Sequence, residues 1–520
     1  MPALRLLNFS LFTFHFSLLS INIILMIGLT PQTFEEFLKE TQKGNVVPVV
    51  RSVLADLHTP VSAFLRISEG AKQAFLFESI EGGERLARYS FLAANPLMTV
   101  RSENSLTILQ QDDSNKTYPD RSLIDFLRRH FARHKLAKRE KLPPLCGGAI
   151  GFFGYDAARW FEKSLDNKKQ TGIDAIWMFF RNILVFDRLK QTIEIVSVVF
   201  TDQAKNEDDL RKLYESAITE TKRLEKVLEN IYLPPKETAP KAESSQFASN
   251  WKKEDFLKAV DKVKEKILVG DAYQVVLSQK FKRQTSAEAI NIYRALRTTN
   301  PSPYMFYIKL GDETLIGASP EMLVRCNQKN LEYRPIAGTR KRGISEEDDW
   351  ILAEDLRSDM KEIAEHIMLV DLGRNDLGKV SEFGSVEVEE LMKVEKYSHV
   401  QHLVTSLKSR LKRDLDRFDA LASCFPAGTV SGAPKVSAMK IIDELEPSKR
   451  GVYAGAIGYI DYAENLDTCI AIRTIRLENQ TASIQAGAGI VADSVPEKEY
   501  EETINKARAL VKAIEMAEGF

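Results

Sequence analysis

The chain has 520 residues, of which 44% are hydrophobic and 28% are charged, a composition typical of a soluble globular protein with about two or three structural units. Its 72 basic and 73 acidic residues give a net charge of −1. Neither sign forms a long block, so charge gives no support to nucleic-acid or anionic-membrane binding. The four cysteines form no C-x-x-C pair, which argues against a zinc finger or a redox motif: Cys146, Cys326, Cys424 and Cys469.

The amino-terminal stretch is unusually apolar. After Arg5, residues 6–29 carry no charged side chain other than a protonated His15, and this length could span a bilayer. Serine, threonine and asparagine residues interrupt the stretch, and no clear signal-peptide cleavage site follows it. A membrane anchor therefore remains the less favoured alternative to an over-extended gene start with Met26 as the true initiator.

Helical and strand patterns then mix without regular βαβ alternation. A capped helix is predicted from Thr30 through Leu38, a hairpin from residues 183–186 and 192–200, and a long helix over 207–232. Residues 233–250 are rich in proline, charge and serine, which predicts an exposed connector. This mixture favours an α+β fold.

An amphipathic helix is predicted over residues 350–371, because apolar residues recur there at steps of three or four. Glu362 and Glu365 flank its apolar stripe. Near the carboxyl end, the QAGAGI sequence at 485–490 predicts a sharp glycine turn that brings backbone N–H groups close to a small anion. Glu499 and Glu502 follow on one helix face. Two glutamate-bearing helices beside an anion cradle are typical of a Mg²⁺ site, although a solvated face is the alternative for each glutamate.

Four motifs occur in order: PIAGTR at 335–340, DLGRNDL at 371–377, GAPK at 432–435 and QAGAGI at 485–490. With them, the chain resembles the chorismate-utilising enzymes, and among these the large subunits of anthranilate synthases. The similarity is densest from residue 251 to the carboxyl end. It implies that chorismate and ammonia form 2-amino-2-deoxyisochorismate, which loses pyruvate to become anthranilate in the first committed step toward tryptophan.

The resemblance also implies residue roles. Glu365 and Glu502 would bind Mg²⁺, with Glu362 and Glu499 nearby as indirect partners. Substrate contacts would come from Gly338, Thr339, Thr429, Tyr453, Arg473, Gly487, Ala488 and Gly489. Of these, Arg473 would bind a carboxylate through the planar fork of donors in its guanidinium group.

Proton transfers in the reaction require positioned acids and bases. By resemblance, Glu321 would protonate the leaving hydroxyl, and His402 would make the further proton transfer that the elimination of pyruvate needs. Relatives that use water carry a lysine base where this chain has Gln274. Aminodeoxychorismate synthases carry a nucleophilic lysine where this chain has Ala337, which cannot form that bond. Both positions favour amination toward anthranilate.

Ammonia needs a source, and no G-x-C-x-G-x-Q motif surrounds any cysteine. Cys146 is expected to be inert in a core. The resemblance therefore implies a separate glutamine amidotransferase subunit in a heterodimer or heterotetramer, in the cytoplasm. It further implies feedback inhibition by tryptophan, with the inhibitor contacts Ser79, Pro303, Tyr304 and Met305.

The expected architecture has β-sheets in a sandwich-like core flanked by helices. A regulatory lobe of residues 26–232 would pack on a catalytic lobe of residues 251–520, joined by the connector 233–250. Since family members begin near Met26, residues 1–25 are interpreted as a non-native extension. The alternatives are an aminodeoxychorismate synthase of the folate pathway and a non-catalytic binding subunit.

Overall fold

A computed structural model describes residues 28–80, 88–112, 114–119, 122–165, 172–230, 247–397 and 400–520. The predicted extension 1–25 and most of the predicted connector 233–250 lie outside the described residues.

Two large antiparallel sheets form the centre of the molecule. The first contains β1 (Gly28–Thr30), β2 (Val46–Leu54), β3 (Gln73–Glu78), β4 (Tyr89–Ala94), β10 (Asn182–Asp187), β11 (Thr192–Phe200), β12 (Ala248–Ser249), β13 (Gln274–Gln284), β14 (Tyr304–Leu310), β15 (Glu313–Ser319), β21 (Gly432–Ala433), β24 (Thr474–Glu478) and β25 (Thr481–Ile490). The second contains β5 (Met98–Glu103), β6 (Leu106–Gln111), β7 (Ser114–Tyr118), β8 (Gly148–Phe153), β9 (Ile173–Phe180), β16 (Met322–Asn327), β17 (Asn330–Tyr333), β18 (Ile336–Lys341), β19 (Glu387–Lys396), β20 (Val400–Arg410), β22 (Ala456–Asp461) and β23 (Asn465–Ile470).

Both sheets combine strands from the two halves of the chain. The first runs in the order β1-β2-β11-β10-β4-β3-β14-β15-β24-β25-β13-β12, and β3 pairs with β14 so that Phe77 lies opposite Phe306. In the second, β8 pairs with β22 and Ile150 lies opposite Tyr459. The two halves are therefore joined by backbone pairing as well as by side-chain packing.

The main core lies between the sheets. Alternate residues of each strand point to opposite faces, so Phe75 enters the core between the sheets while Leu76 enters a second core on the outer face of the first sheet. Burying these apolar faces is the dominant favourable contribution to folding. The sandwich-like α+β fold is confirmed.

Helices cover the outer faces. They are α1 (Phe34–Thr41), α2 (Pro60–Ile67), α3 (Leu123–Arg133), α4 (Glu207–Glu229), α5 (Lys253–Leu268), α6 (Ala289–Thr299), α7 (Glu346–Ser358), α8 (Met360–Val380), α9 (Arg417–Cys424), α10 (Gly428–Ser431), α11 (Lys435–Leu445) and α12 (Pro496–Ala517). Within the described ranges, none of the helices has both the length and the apolar character needed to cross a bilayer.

Local predictions had mixed outcomes. The hairpin is confirmed as β10 and β11, and the long helix as α4. The first helix starts after Thr33, whose hydroxyl accepts from the Glu36 N–H, so the predicted start at Thr30 is wrong. The helix over 350–371 is also wrong as one element. Asp359 separates α7 from α8 and accepts hydrogen bonds from the N–H groups of Lys361 and Glu362.

Candidate active site

One cavity collects most of the predicted catalytic and substrate residues. It has a volume of about 230 Å³ and lies where β13, β18, β20 and β25 approach α10 and α12. Eight predicted residues line it: Glu321, Gly338, Thr339, His402, Thr429, Tyr453, Arg473 and Gly487. They come from separate segments of the sequence, so the cavity is a product of the tertiary fold.

The predicted glycine turn is wrong. Gly487 and Gly489 lie inside strand β25, which pairs with β13 along its whole length. Strand β24 pairs with β25 only as far as Ile484, so among the described strands none covers the other edge of residues 485–490. A Cβ atom at 487 would lie 2.8 Å from the Tyr453 hydroxyl, so glycine at this position lets that hydroxyl approach the strand closely. This uncovered strand edge offers backbone groups to a ligand.

Glu321 is suited to donate a proton. Its side chain is buried, which raises the pKa of its carboxyl to about 8, and the Thr429 hydroxyl and the Lys506 charge offset only part of this rise. The carboxyl is therefore mostly protonated at neutral pH. The Thr429 hydroxyl itself is buried without a hydrogen bond of good geometry in the described structure, and so has capacity to bind a ligand.

His402 is suited to accept a proton. Its Nδ1 lies 2.9 Å from the Gly338 carbonyl oxygen and 3.1 Å from the Thr339 hydroxyl. A carbonyl can only accept, so Nδ1 carries the hydrogen and Nε2 is the basic nitrogen. Burial lowers the pKa of His402 and keeps it neutral. Gly338 lies at a bulge with φ +67°, a conformation that glycine adopts without strain.

Arg473 supplies a positive charge without a carboxylate partner among the described residues. Its Nη1 donates to the Lys506 backbone carbonyl at 2.8 Å. Burial lowers the pKa of Arg473, and the nearby Tyr453 hydroxyl partly offsets this. An unpaired guanidinium in a cavity is a favourable site for a carboxylate ligand.

Sequence reasoning missed Lys506. Its Nζ lies 2.6 Å from Glu502 Oε1 and donates to the Gly487 carbonyl at 3.0 Å. The spacing of four from Glu502 on a helix was a usable signal, because such residues share one face. The structure thus adds a second cation to the cavity wall.

The predicted metal ligands lie near one another. Although Glu365 is an exposed residue, partial desolvation by the surrounding protein raises the pKa of its carboxyl. The negative charges of Glu362 and Glu502 raise this pKa further. Glu362 is paired with Arg340 at 3.1 Å. No group of three or more potential ligands is close enough to hold an ion anywhere in the described parts of the chain. The oxygen donors fit a hard cation that takes its remaining ligands from water and substrate.

Three of the predicted catalytic and substrate residues do not line the cavity: Gln274, Ala488 and Gly489. The Gln274 side chain lies against Gly489, where an added Cβ would be 2.5 Å from its Nε2. The Ala488 side chain packs in an apolar cluster with Val275 and Ile490. Ala337 does line the cavity, at the position where some relatives carry lysine.

The four predicted inhibitor contacts lie together in a second, mostly apolar pocket of about 250 Å³: Ser79, Pro303, Tyr304 and Met305. The pocket lies between the two sheets, with Tyr459 of β22 and Cys469 of β23 on its opposite wall. The Ser79 hydroxyl is buried there without a hydrogen-bond partner in the described structure. Cys146, by contrast, is buried in the main core, where burial raises the pKa of its thiol.

Comparison with known proteins identifies the family. A family model described as chorismate binding enzyme matches residues 72–512. The chain belongs to the chorismate binding enzyme family. Within this family, it is 46% identical over 493 residues to anthranilate synthase component 1 of Acetivibrio thermocellus, covering 93% of this chain and 98% of that relative. The corresponding protein of Aquifex aeolicus is 42% identical over 489 residues, covering 94% and 98%.

Two solved structures agree with the fold. Anthranilate synthase component I of Streptococcus pneumoniae superposes with a TM-score of 0.72 at 37% identity, covering 88% of this chain and 98% of that structure. The menaquinone-specific isochorismate synthase of Escherichia coli superposes with a TM-score of 0.66 at 21% identity, covering 92% and 98%. This second similarity shows the shared fold alone.

Proposed function

We propose that this chain is the synthase component of an anthranilate synthase, which converts chorismate and ammonia into anthranilate and pyruvate. The main support is the convergence of a proton donor, a neutral histidine and an unpaired arginine in one cavity, Glu321, His402 and Arg473. Relatives with that activity in their names match nearly the whole chain.

Chorismate carries two carboxylates, and the cavity offers two places for them. One would pair with Arg473 and receive N–H groups from the uncovered edge of β25 near Gly487. The other would lie toward Glu365 and Glu502, which would hold Mg²⁺. The metal supplies positive charge that holds a carboxylate beside two glutamates that would otherwise repel it.

In the first step, ammonia forms a C–N bond to the ring and the ring hydroxyl leaves. Glu321 gives its proton to that hydroxyl, so the C–O bond breaks with release of water and the ring double bonds shift. The burial that keeps Glu321 protonated is what suits it to this role. Ammonia is already nucleophilic, in accord with Gln274 in place of a lysine base.

In the second step, a proton leaves the carbon that bears the new amino group. His402 Nε2 accepts it while the bond between the ring carbon and the ether oxygen breaks, and the departing enolpyruvate takes up a proton at its methylene carbon, which gives anthranilate and pyruvate. The hydrogen bond from Nδ1 to the Gly338 carbonyl holds the ring in the required tautomer.

The ammonia source proposed is a glutamine amidotransferase subunit, as the designation component 1 of the relatives suggests a second component. Tryptophan is the proposed occupant of the apolar pocket, where the indole would contact Pro303 and Met305. The heterotetramer and the cytoplasmic location stay predictions. The alternative aminodeoxychorismate synthase is less favoured, because Ala337 cannot act as a covalent nucleophile.

The test is anthranilate fluorescence from purified protein with chorismate, ammonium and Mg²⁺. We expect a signal that chelation by EDTA abolishes, that added Mg²⁺ restores and that tryptophan lowers. Consumption of chorismate without fluorescence would instead indicate another chorismate aminator. No consumption at all would support the non-catalytic alternative.

A further inference from the structure

The catalytic cavity and the apolar pocket share no lining residue among those described. The same two chain segments nevertheless line both. One segment is the β14–β15 hairpin with the residues that follow it. Tyr304 of β14 lines the apolar pocket and pairs across strands with Ser319 of β15, and Glu321, two residues after Ser319, lines the catalytic cavity. Along the other, Cys469 lines the apolar pocket and Arg473 the catalytic cavity. A ligand in one site therefore touches chain that continues into the other.

Ser319 lies where these two segments meet. Its side chain is fully buried, and its hydroxyl donates to the Ile470 carbonyl at 2.7 Å. The Ile470 N–H donates to the Glu321 carbonyl at 3.0 Å. The Glu321 N–H approaches the Ser319 hydroxyl at 3.4 Å, which closes a small ring of polar contacts. The ring holds the backbone of the proposed proton donor.

The apolar pocket adjoins the same ring. Cys469 precedes Ile470, and its thiol lies beside the Ser319 hydroxyl, which partly offsets the rise that burial causes in the pKa of that thiol. Tyr304 lies directly opposite Ser319 in the β14–β15 pair. Ser319 therefore has a neighbour from the apolar pocket on each of the two segments.

We propose that Ser319 is a positioning residue that couples occupancy of the apolar pocket to the placement of Glu321. This inference rests on the proposed function, because it assigns a route for the regulation of that active site. A ligand that displaces Tyr304 or Cys469 moves β14 or β23. The buried hydrogen bonds of Ser319 then transmit that displacement to the backbone of Glu321, because a close-packed interior has low compressibility and transmits strain.

The experiment compares Ser319→Ala with the parent by calorimetry, in the presence of Mg²⁺ and without ammonium so that no amination occurs. Chorismate binding is measured with and without saturating tryptophan, and tryptophan binding is measured alone. The ratio of the two chorismate dissociation constants is the coupling between the sites. Thr468→Val is the matched control, since the Thr468 hydroxyl is equally buried in β23 and donates to the Val324 carbonyl at 2.9 Å.

We expect tryptophan to weaken chorismate binding to the parent by about 5-fold or more, within the usual range of allosteric coupling. In Ser319→Ala this ratio falls toward one, while the tryptophan dissociation constant changes less than about 2-fold. Thr468→Val keeps the parental ratio. If Ser319→Ala does not fold, Ser319→Cys keeps the size, weakens the hydrogen bond and is expected to reduce the ratio.

An unchanged ratio in a folded Ser319 variant would overturn the proposal, as would an equal loss in Thr468→Val. A parent in which tryptophan binds without weakening chorismate binding would also overturn it. Absence of anthranilate in the separate activity assay would refute the proposed function instead, because the binding measurement does not require turnover.

Discussion

Burial has opposite effects on the two proton-transfer residues. It disfavours the charged form of any group, so it raises the pKa of the Glu321 carboxyl to about 8 and lowers the pKa of the His402 imidazole. At neutral pH one residue therefore carries a transferable proton and the other can accept one. Burial in one cavity is the largest cause of both shifts, and the Arg473 charge lowers the pKa of His402 further.

We expect anthranilate formation to fall as pH rises through about 8, because Glu321 then loses the proton that the leaving hydroxyl needs. Glu321→Gln should lower kcat by about 100-fold or more and remove this limb of the pH profile. The measurement is initial rate against pH at saturating chorismate and ammonium. Glu313→Gln, on strand β15 but outside the cavity, serves as control. A Glu321→Gln enzyme with the parental profile would contradict the assignment.

His402→Met should separate the two steps. Amination continues, whereas release of anthranilate slows by about 100-fold because no base removes the ring proton. Chromatography would show chorismate loss with accumulation of the aminated intermediate, followed alongside anthranilate fluorescence. His58→Met, at a histidine that contacts Arg66 away from the cavity, should behave as the parent. Anthranilate formed by His402→Met at the parental rate would refute the role.

Helix α8 connects the proposed metal ligand Glu365 with the segment that carries Thr429. Glu365 lies in its amino-terminal half, and Asp376 lies about three turns farther on. The Asp376 carboxylate accepts from Lys435 at 2.7 Å and from Lys379 at 3.0 Å. Lys435 follows the short segment that places Thr429 in the cavity. The ion pair between Lys435 of the GAPK motif and Asp376 of the DLGRNDL motif thus holds that segment against the helix that carries a proposed metal ligand.

Lys435→Met should lower the free energy of unfolding by about 3 kcal/mol, because it leaves the buried Asp376 carboxylate short of a charged partner. Lys379 keeps one contact, which places the effect at the lower end of the range for broken buried pairs. Urea unfolding followed by circular dichroism measures the change. Lys393→Met removes an exposed lysine whose ion pair with Glu390 is screened by water, so it should lower the free energy of unfolding much less than Lys435→Met does. Equal effects of the two variants would contradict this reasoning.

At the scale of the whole molecule, the two halves complete each other's sheets. Separating them at the connector would leave the edges of β3 and β14 unpaired, and likewise β8 and β22. Unpaired edges bounded by apolar faces favour aggregation over independent folding. The division into lobes at residues 233–250 remains a prediction about the sequence, whereas the sheets are continuous across it.

We expect residues 26–232 and 251–520 to be insoluble or unfolded when expressed separately. Coexpression should restore a soluble complex that unfolds in one cooperative transition, because both sheets and the main core need both fragments. Solubility, circular dichroism and calorimetry provide the measurements. A fragment of residues 251–520 that is monomeric, folded and stable alone would show that the shared sheets are not required for folding.

Features that depend on neighbours in sequence were predictable. Alternation located the β10–β11 hairpin, and ordered motifs identified most of the cavity residues before their positions in space were known. Capping was harder, since Thr30 and Thr33 both precede the first helix and only Thr33 accepts its N–H groups. Periodicity also continued through Asp359, where the chain starts a new helix.

Features that depend on distant partners were decided by the tertiary structure alone. The glycines at 487 and 489 match a turn in composition, yet pairing with β13 makes them part of a strand. Lys506 joined the cavity because α12 packs across β25, a contact between elements that no local pattern encodes. The sequence by itself determined the family and the chemical groups. The fold decided which groups meet, because long-range pairing and burial set their distances and protonation states.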